Sequence, residues 1–442
     1  MTNDDRTHTA DDPGCGDALV MFGLTGDLGE KKLIPALGEL AVAGELSHPI
    51  VAVSRSGVDV DELRGRIAEA LDPGPLGDRS ADDVVAALDL RAVEGGVDED
   101  ETWRRIVDEV DGCDRPVVYA ALPPSLFATI ASRVASSGLP ETTRLVLEKP
   151  FGEDRDSAVE LWHDVTDQIE PARLFVVDHF LAKTAIENLS TVRACNAVIA
   201  NNLRPGLVAR IDLVMHESGD VDGRGSFYES VGAVRDVVQN HLLQMLAVAT
   251  MQQPGDGSDE AYVRARQDAL DAVQPVDPAT VTLGQYEGYR ELDDVADDSD
   301  VETYASLELA IDAEPWRGVP VRIVTGKALH EQRTAVVFTI RSDEAAGSGR
   351  IVFDISPSPC ISIELEVIAG DDHGVRSITL AGRPDDDHEG LGDYATMLRG
   401  ALRGERRHFA TIDGILAGWR VVDPIAEHRP AVQRYEPGTN GP

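Results

Sequence analysis

Ala18-Leu19-Val20-Met21-Phe22 runs directly into Gly23-Leu24-Thr25-Gly26-Asp27-Leu28-Gly29, and a helical pattern occupies residues 33–40. An unbroken apolar run that ends in glycines predicts a strand buried on both faces, followed by a tight turn into a helix. Strand, glycine turn and helix together let backbone amides and a helix N-terminus hold a pyrophosphate. The spacing departs from GxGxxG, and taken alone it fits a plain tight turn equally well.

Similar apolar runs recur at residues 50–53, 117–121 and 145–147, separated by helical patterns such as 61–71 and 125–134. Continuous apolar strands alternating with helices predict a parallel sheet covered on both faces, a Rossmann dinucleotide-binding domain over residues 17–177. The second half changes period. Leu307, Leu309 and Ile311 alternate with Glu308, Ala310 and Asp312, and Ile361, Ile363, Leu365 and Val367 alternate with Ser362, Glu364 and Glu366. Period two with one polar face predicts antiparallel pairing. With further runs at 319–324, 335–340 and 351–355, residues 178–442 read as an α+β domain with a large, mostly antiparallel sheet. Residues 1–16 read as an acidic, flexible N-terminal segment, and 253–259 and 293–300 as solvated loops. No internal repeat is found.

The 442 residues are 42% hydrophobic, enough for full cores. No apolar run reaches the length of a membrane span, and the start lacks a basic stretch with an apolar core, so the expectation is a cytoplasmic protein. Cys15, Cys113, Cys195 and Cys360 lie far apart without CxxC or CxxH spacing, so neither a disulfide framework nor a metal site is expected. Seventy-nine acidic residues against 40 basic give a net charge of −39, which excludes nucleic acid and anionic membrane as expected partners. Only five of the basic residues are lysines: Lys31, Lys32, Lys149, Lys183 and Lys327. An acidic, lysine-poor surface suits a salt-rich cytoplasm, where the Debye length shrinks to roughly 3 Å at 1 M and self-repulsion is screened.

After the second apolar strand stands Ser54-Arg55-Ser56, with no acid to take ribose hydroxyls. An arginine there can pair with a 2′-phosphate, which favours NADP over NAD, although Arg55 is equally one of many solvated arginines and use of both remains open. His241 lies in a helical pattern beside Val234, Val237, Val238 and Met245, and a neutral imidazole suits a general base near pH 7. Seen alone, such a histidine is more often a core residue. Asp178-His179-Phe180-Leu181-Ala182-Lys183 follows an apolar run, where α/β folds open onto ligands; an ordinary polar turn is the competing reading. The five lysines all fall at expected strand ends or turns, which suits phosphate pairing.

In order along the chain, the segments Gly23-Leu-Thr-Gly26-Asp-Leu with Lys31-Lys32-Leu-Ile-Pro35, Ala121-Leu-Pro-Pro124, Glu148-Lys-Pro-Phe-Gly152, Asp178-His-Phe-Leu-Ala-Lys183, Gly223-Arg-Gly225, Arg235-Asp-Val-Val-Gln-Asn-His241, Leu283-Gly-Gln-Tyr286 and Thr325-Gly-Lys327 resemble the glucose-6-phosphate dehydrogenase family. The resemblance implies oxidation of glucose 6-phosphate with hydride transfer to NADP, NAD being a second acceptor. It implies His241 as general base, with Asp178 holding its imidazole. His179, Lys183 and Arg333 would hold the substrate phosphate, Lys327 the phosphate or sugar, and Glu217 and Asp236 the sugar hydroxyls. Lys149 would contact both substrate and cofactor. Gly23, Thr25, Gly26, Asp27, Leu28 and Arg55 would line the dinucleotide, and the Lys149–Pro150 bond is a candidate cis peptide. A homodimer joined through the second-domain sheet, or a homotetramer, is implied as well.

Four positions depart from the family pattern: Phe180 replaces a phosphate-binding tyrosine, Ala182 a glycine, Thr184 a glutamate and Arg333 a lysine. Losing one hydrogen bond to a charged oxygen costs about 1.5–3 kcal/mol, and a guanidinium at 333 is the expected compensation. Two rivals stay open: a related sugar dehydrogenase acting on another hexose phosphate or free glucose, and a non-catalytic dinucleotide-binding regulator.

Overall fold

The computed structural model describes residues 15–71, 80–204, 206–221, 223–255, 257–341, 349–369, 374–383 and 390–442. Most of the expected flexible segment 1–16 therefore lies outside the described residues. The chain divides into two units: Met1–Gly152, Asp156–Ala182 and Gly390–Ile412 form the first, and Glu153–Arg155, Lys183–Glu389 and Asp413–Pro442 the second.

In the first unit, β1 (Ala18–Phe22), β2 (Ile50–Ser54), β3 (Leu90–Glu94), β4 (Pro116–Ala120), β5 (Arg144–Leu147) and β6 (Leu174–Val177) pair in parallel in the order β6-β5-β4-β1-β2-β3. All five residues of β1 and of β4 are buried, which is why neither run alternates. Each fully buried valine or leucine there contributes roughly 1.5–3 kcal/mol relative to exposure. Helix Val60–Glu69 is capped at its start by the Asp59 carboxylate, which accepts from the amides of Asp61 and Glu62.

The first unit also contains a segment that the sequence reading assigned wholly to the second domain. Helix Asp393–Arg403 packs Tyr394, Ala395, Met397, Leu398, Ala401 and Leu402 into the core under β1 and β2. Phe409 and Ala410, numbered β15 after the second unit's β7–β14, then pair antiparallel with β6. Arg403 bonds Glu45 at 2.8 Å, and Arg144 donates to the carbonyls of Ala401 and Leu402. The helix's apolar stripe is legible in sequence, but the stripe does not say which core receives it.

The second unit holds β7 (Val208–His216), β8 (Thr282–Tyr286), β9 (Tyr304–Leu309), β10 (Val321–Gly326), β11 (Arg333–Ile340), β12 (Arg350–Ser356), β13 (Cys360–Ala369), β14 (Gly374–Gly382) and β16 (Val432–Tyr435). They form one nine-stranded sheet in the order β14-β13-β12-β11-β7-β10-β9-β8-β16. Pairing is antiparallel except for β7 with β10 and β8 with β16. The expected sheet is thus present, with an alternating β9 whose Leu307 and Leu309 are buried and Glu308 exposed.

Candidate active site

The loop after β1 is built on glycine for measurable reasons. Gly23 has φ +82°, and a Cβ there would stand 2.1 Å from the carbonyl oxygen of Ala121. Its own carbonyl accepts from the amide of Gly26 at 3.0 Å, and Gly26 O accepts from Glu30 N at 2.9 Å as the helical segment begins. A Cβ on Gly29 would fall 2.0 Å from Leu24 O. The chain is folded against itself here with its backbone bare, the cradle that a dinucleotide pyrophosphate needs. Thr25, Gly26 and Asp27 are exposed on this turn, and Leu28 is half-buried. The Asp27 carboxylate pairs with Lys31 at 3.0 Å. Arg55 is exposed just past β2, between two serines.

At the ends of β5 and β6 the same unit places Glu148, Lys149, Asp178 and His179. The Lys149–Pro150 peptide is cis. Glu148 is buried; its Oε1 accepts a 2.6 Å bond from the phenol of Tyr119, and its Oε2 accepts from Lys149 N at 3.3 Å. Burial pushes its carboxyl up to about 7; the Tyr119 hydroxyl and the Lys149 amide and ammonium oppose that shift, and the Asp178 charge adds to it. Asp178 is 3% exposed, and its Oδ1 accepts from Phe180 N at 3.1 Å. The His179 ring stacks on Tyr394, with centroids 5.6 Å apart, and Phe180 meets it edge-on. Neither Tyr119 nor Tyr394 entered the sequence reading: Tyr394 reaches His179 only because 390–412 belongs to this unit, which no local pattern announces.

The boundary between the units falls between Ala182 and Lys183, so the sequence cluster 178–183 is divided. Lys183 precedes helix Thr184–Cys195 in the second unit. There β7 and β10 run in parallel with His216 opposite Gly326, so the next residues, Glu217 and Lys327, emerge side by side. Lys327 Nζ donates to Glu217 Oε2 at 2.5 Å and lies 5.8 Å from the centroid of the Tyr228 ring. Lys327 is itself fixed by its backbone, its N–H donating to Thr303 O at 2.9 Å and its carbonyl accepting from Tyr435 at 2.6 Å. Burial pushes the Tyr228 phenol well up, and the charges of Asp236 and Glu217 act in the same direction.

His241 and Asp236 share the segment Val234–Leu242, which is wound as a π-helix, closing i→i+5. Ordinary α winding would turn residues five apart away from each other by about 140°. The wider winding reduces that turn, so Asp236 and His241 lie nearer to one face. His241 is 3% exposed, and Val237, Val238 and Leu242 around it are buried. Sequence periodicity found the helix and its apolar flank, but not the altered winding.

Arg333 stands opposite His216, the residue before Glu217, in the β11–β7 pairing. It opens β11, and its Nε donates to Asp354 Oδ1 at 2.7 Å. It lines a cavity of about 320 Å³ with Ser356, Pro357, Cys360 and Arg383.

Comparison with known proteins matches the chain with two consecutive family models that meet near residue 189. A family model described as glucose-6-phosphate dehydrogenase, NAD binding domain, matches residues 20–188, and one described as glucose-6-phosphate dehydrogenase, C-terminal domain, matches residues 190–442. Glucose-6-phosphate 1-dehydrogenase 1 of Mycobacterium tuberculosis is 34% identical over 439 residues, covering 97% of this chain and 94% of the relative. The crystal structure of glucose-6-phosphate 1-dehydrogenase from Mycobacterium avium is similar at TM-score 0.87 and 33% identity, covering 97% of this chain and 95% of that one. A solved glucose-6-phosphate dehydrogenase in complex with its substrate glucose-6-phosphate is similar at TM-score 0.89 and 27% identity, over 97% and 96% of the two chains. Matched in order through both units, the chain belongs to the glucose-6-phosphate dehydrogenase family.

Proposed function

We propose that this chain oxidises glucose 6-phosphate at C1 to 6-phosphogluconolactone, with NADP as the preferred hydride acceptor, as the first step of the oxidative pentose phosphate pathway. The observation that carries the reading is the π-wound segment that carries both His241 and Asp236, in the unit that also pairs Glu217 with Lys327.

His241 takes the proton of the C1 hydroxyl as hydride leaves that carbon, and Asp178 holds the imidazole and offsets its developing charge. Glu217 and Asp236 accept hydrogen bonds from sugar hydroxyls, with Lys327 supplying positive charge to the sugar or phosphate. His179, Lys183 and Arg333 hold the phosphate, and Lys149 contacts both the substrate and the dinucleotide. When bound, the nicotinamide accepts the hydride. Gly23, Thr25, Gly26, Asp27 and Leu28 supply the backbone cradle for its pyrophosphate, and Arg55 pairs with the 2′-phosphate. An arginine just past β2, flanked by serines in sequence, supports NADP as the preferred acceptor, NAD being the second.

The net charge of −39 supports a salt-adapted cytoplasmic enzyme, and among the described residues no helix is long and apolar enough to cross a membrane. A homodimer through the second-unit sheet is supported by the exposed apolar residues of β13 and β14, where Leu365 pairs with Ile378 and Ile363 with Leu380. The reaction is tested by following nicotinamide reduction in molar potassium chloride with glucose 6-phosphate, glucose and other hexose phosphates. Turnover with glucose 6-phosphate well above the others is expected; equal turnover with free glucose overturns the substrate, and no reduction with any sugar overturns the activity.

A further inference from the structure

The helix that presents His241 begins at an abrupt break. Gly232 has φ +64° and ψ 176°, a break inside Gly225–Ala233 just ahead of the π-wound segment. The first amides of a helix have no acceptor within it and need one from elsewhere. Here both come from one residue: Ala233 N–H donates to the backbone carbonyl of Glu302 at 2.9 Å, and Val234 N–H to its Oε1 at 3.2 Å. A Cβ at Gly232 would stand 2.6 Å from that same Oε1, so the glycine leaves room for the carboxylate. Glu302 is 4% exposed. Its Oε2 accepts from Arg429 Nη2 at 2.7 Å, and Arg429 also donates to Asp300 O at 2.8 Å. Burial pushes the Glu302 carboxyl up and the Arg429 charge draws it back.

The C-terminal segment that supplies Arg429 supports the same helix further along. Gln239 Nε2 donates to Ile415 O at 3.2 Å, and a Cβ on Gly418 would lie 2.5 Å from Gln239 O. Asp236 and His241 thus ride on a segment gripped at its start by a carboxylate and along its side by a helix. A carboxylate at a helix N-terminus also complements the dipole there.

We propose that Glu302 and Arg429 are positioning residues, a clamp that fixes the start of the helix carrying Asp236 and His241 and so sets the rate of the chemical step. The inference rests on the assignment of His241 as base. A displacement of about 1 Å in a reacting group costs on the order of 10²-fold in rate, so loosening the clamp acts on turnover before it acts on affinity.

The test compares wild type, Glu302→Ala, Glu302→Gln and Arg429→Gln in molar potassium chloride, measuring kcat, KM, the thermal midpoint and the isotope effect on kcat with glucose 6-phosphate deuterated at C1. Glu302→Ala is expected to lower kcat about tenfold or more, change KM less, and raise the isotope effect as hydride transfer becomes slower than product release. Glu302→Gln, whose amide oxygen still accepts from Val234, is expected to recover part of the loss. Arg429→Gln, at a half-exposed position, is expected to fold and to lower kcat about threefold with the same rise in isotope effect. A kcat that falls with an unchanged isotope effect in the folded Arg429→Gln protein, or that does not fall at all, overturns the clamp. His241→Gln in the same series separates the two claims: full activity there overturns the base assignment, whereas full activity in Glu302→Ala overturns the clamp alone.

Discussion

The phenol of Tyr119 donates to Glu148 Oε1 at 2.6 Å, binding the end of β4 to the residue that follows β5. This bond holds a buried acid directly beside Lys149 and its cis peptide to Pro150.

Glu148 makes the stability of the chain depend on pH. Its carboxyl is pushed by burial from 4.5 up to about 7, so the folded state binds the proton more tightly than the unfolded state does. A raised pKa contributes stability that is complete below 4.5 and is lost as pH rises through about 7. Glu148→Gln removes that loss while keeping an acceptor for Tyr119. The variant is therefore expected to gain roughly 3 kcal/mol on wild type between about pH 5 and about pH 8. Urea unfolding at both pH values in molar potassium chloride checks it, and a difference that does not change with pH contradicts it.

His241 and Asp178 are assigned to one step, and their variants should behave as one unit. His241→Ala is expected to lower kcat by about 10²-fold or more, with binding largely retained. Asp178→Asn should also be slow, and the double variant no slower than the worse single. Multiplying losses in steady-state kinetics would show independent roles. Lys183→Ala differs in kind: it removes the charge proposed to meet a non-reacting phosphate, so KM for glucose 6-phosphate should rise before kcat falls.

Arg55 is exposed between Ser54 and Ser56, just past the end of β2. Arg55→Ala is expected to raise KM for NADP about tenfold or more, a charged hydrogen-bonded contact being worth about 1.5–3 kcal/mol. KM for NAD should change much less. Equal effects on the two would remove Arg55 from the 2′-phosphate.

The acid excess predicts salt dependence. With a net charge of −39, self-repulsion in dilute buffer opposes the compact state, and screening relieves it. The thermal midpoint should rise from dilute to molar potassium chloride. A flat or falling midpoint would contradict salt adaptation.

What the sequence made legible follows the range over which its signals act. β1, the glycine turn and the helix after it were legible because apolar continuity and glycine are local signals, and Gly23 is required by a backbone approach to Ala121. The alternation around Leu307 and Leu309 likewise announced β9. Tyr394 over His179 and Arg429 on Glu302 were not legible, since each partner lies more than a hundred residues away in a segment with no distinguishing pattern. The π winding was missed because Val237, Val238 and His241 fit an ordinary helix in sequence. Arg333 was read by chemical likeness to a lysine, and its ion pair with Asp354 on the neighbouring strand has no local signal in the sequence.

The central claim is that His241 removes the C1 hydroxyl proton while hydride leaves. Stopped-flow absorbance of reduced nicotinamide, with wild type and His241→Gln saturated in glucose 6-phosphate and NADP, measures that step alone. The account predicts a first-turnover rate about 10²-fold lower in the variant, with substrate affinity nearly unchanged. A first turnover as fast in His241→Gln as in wild type would contradict it.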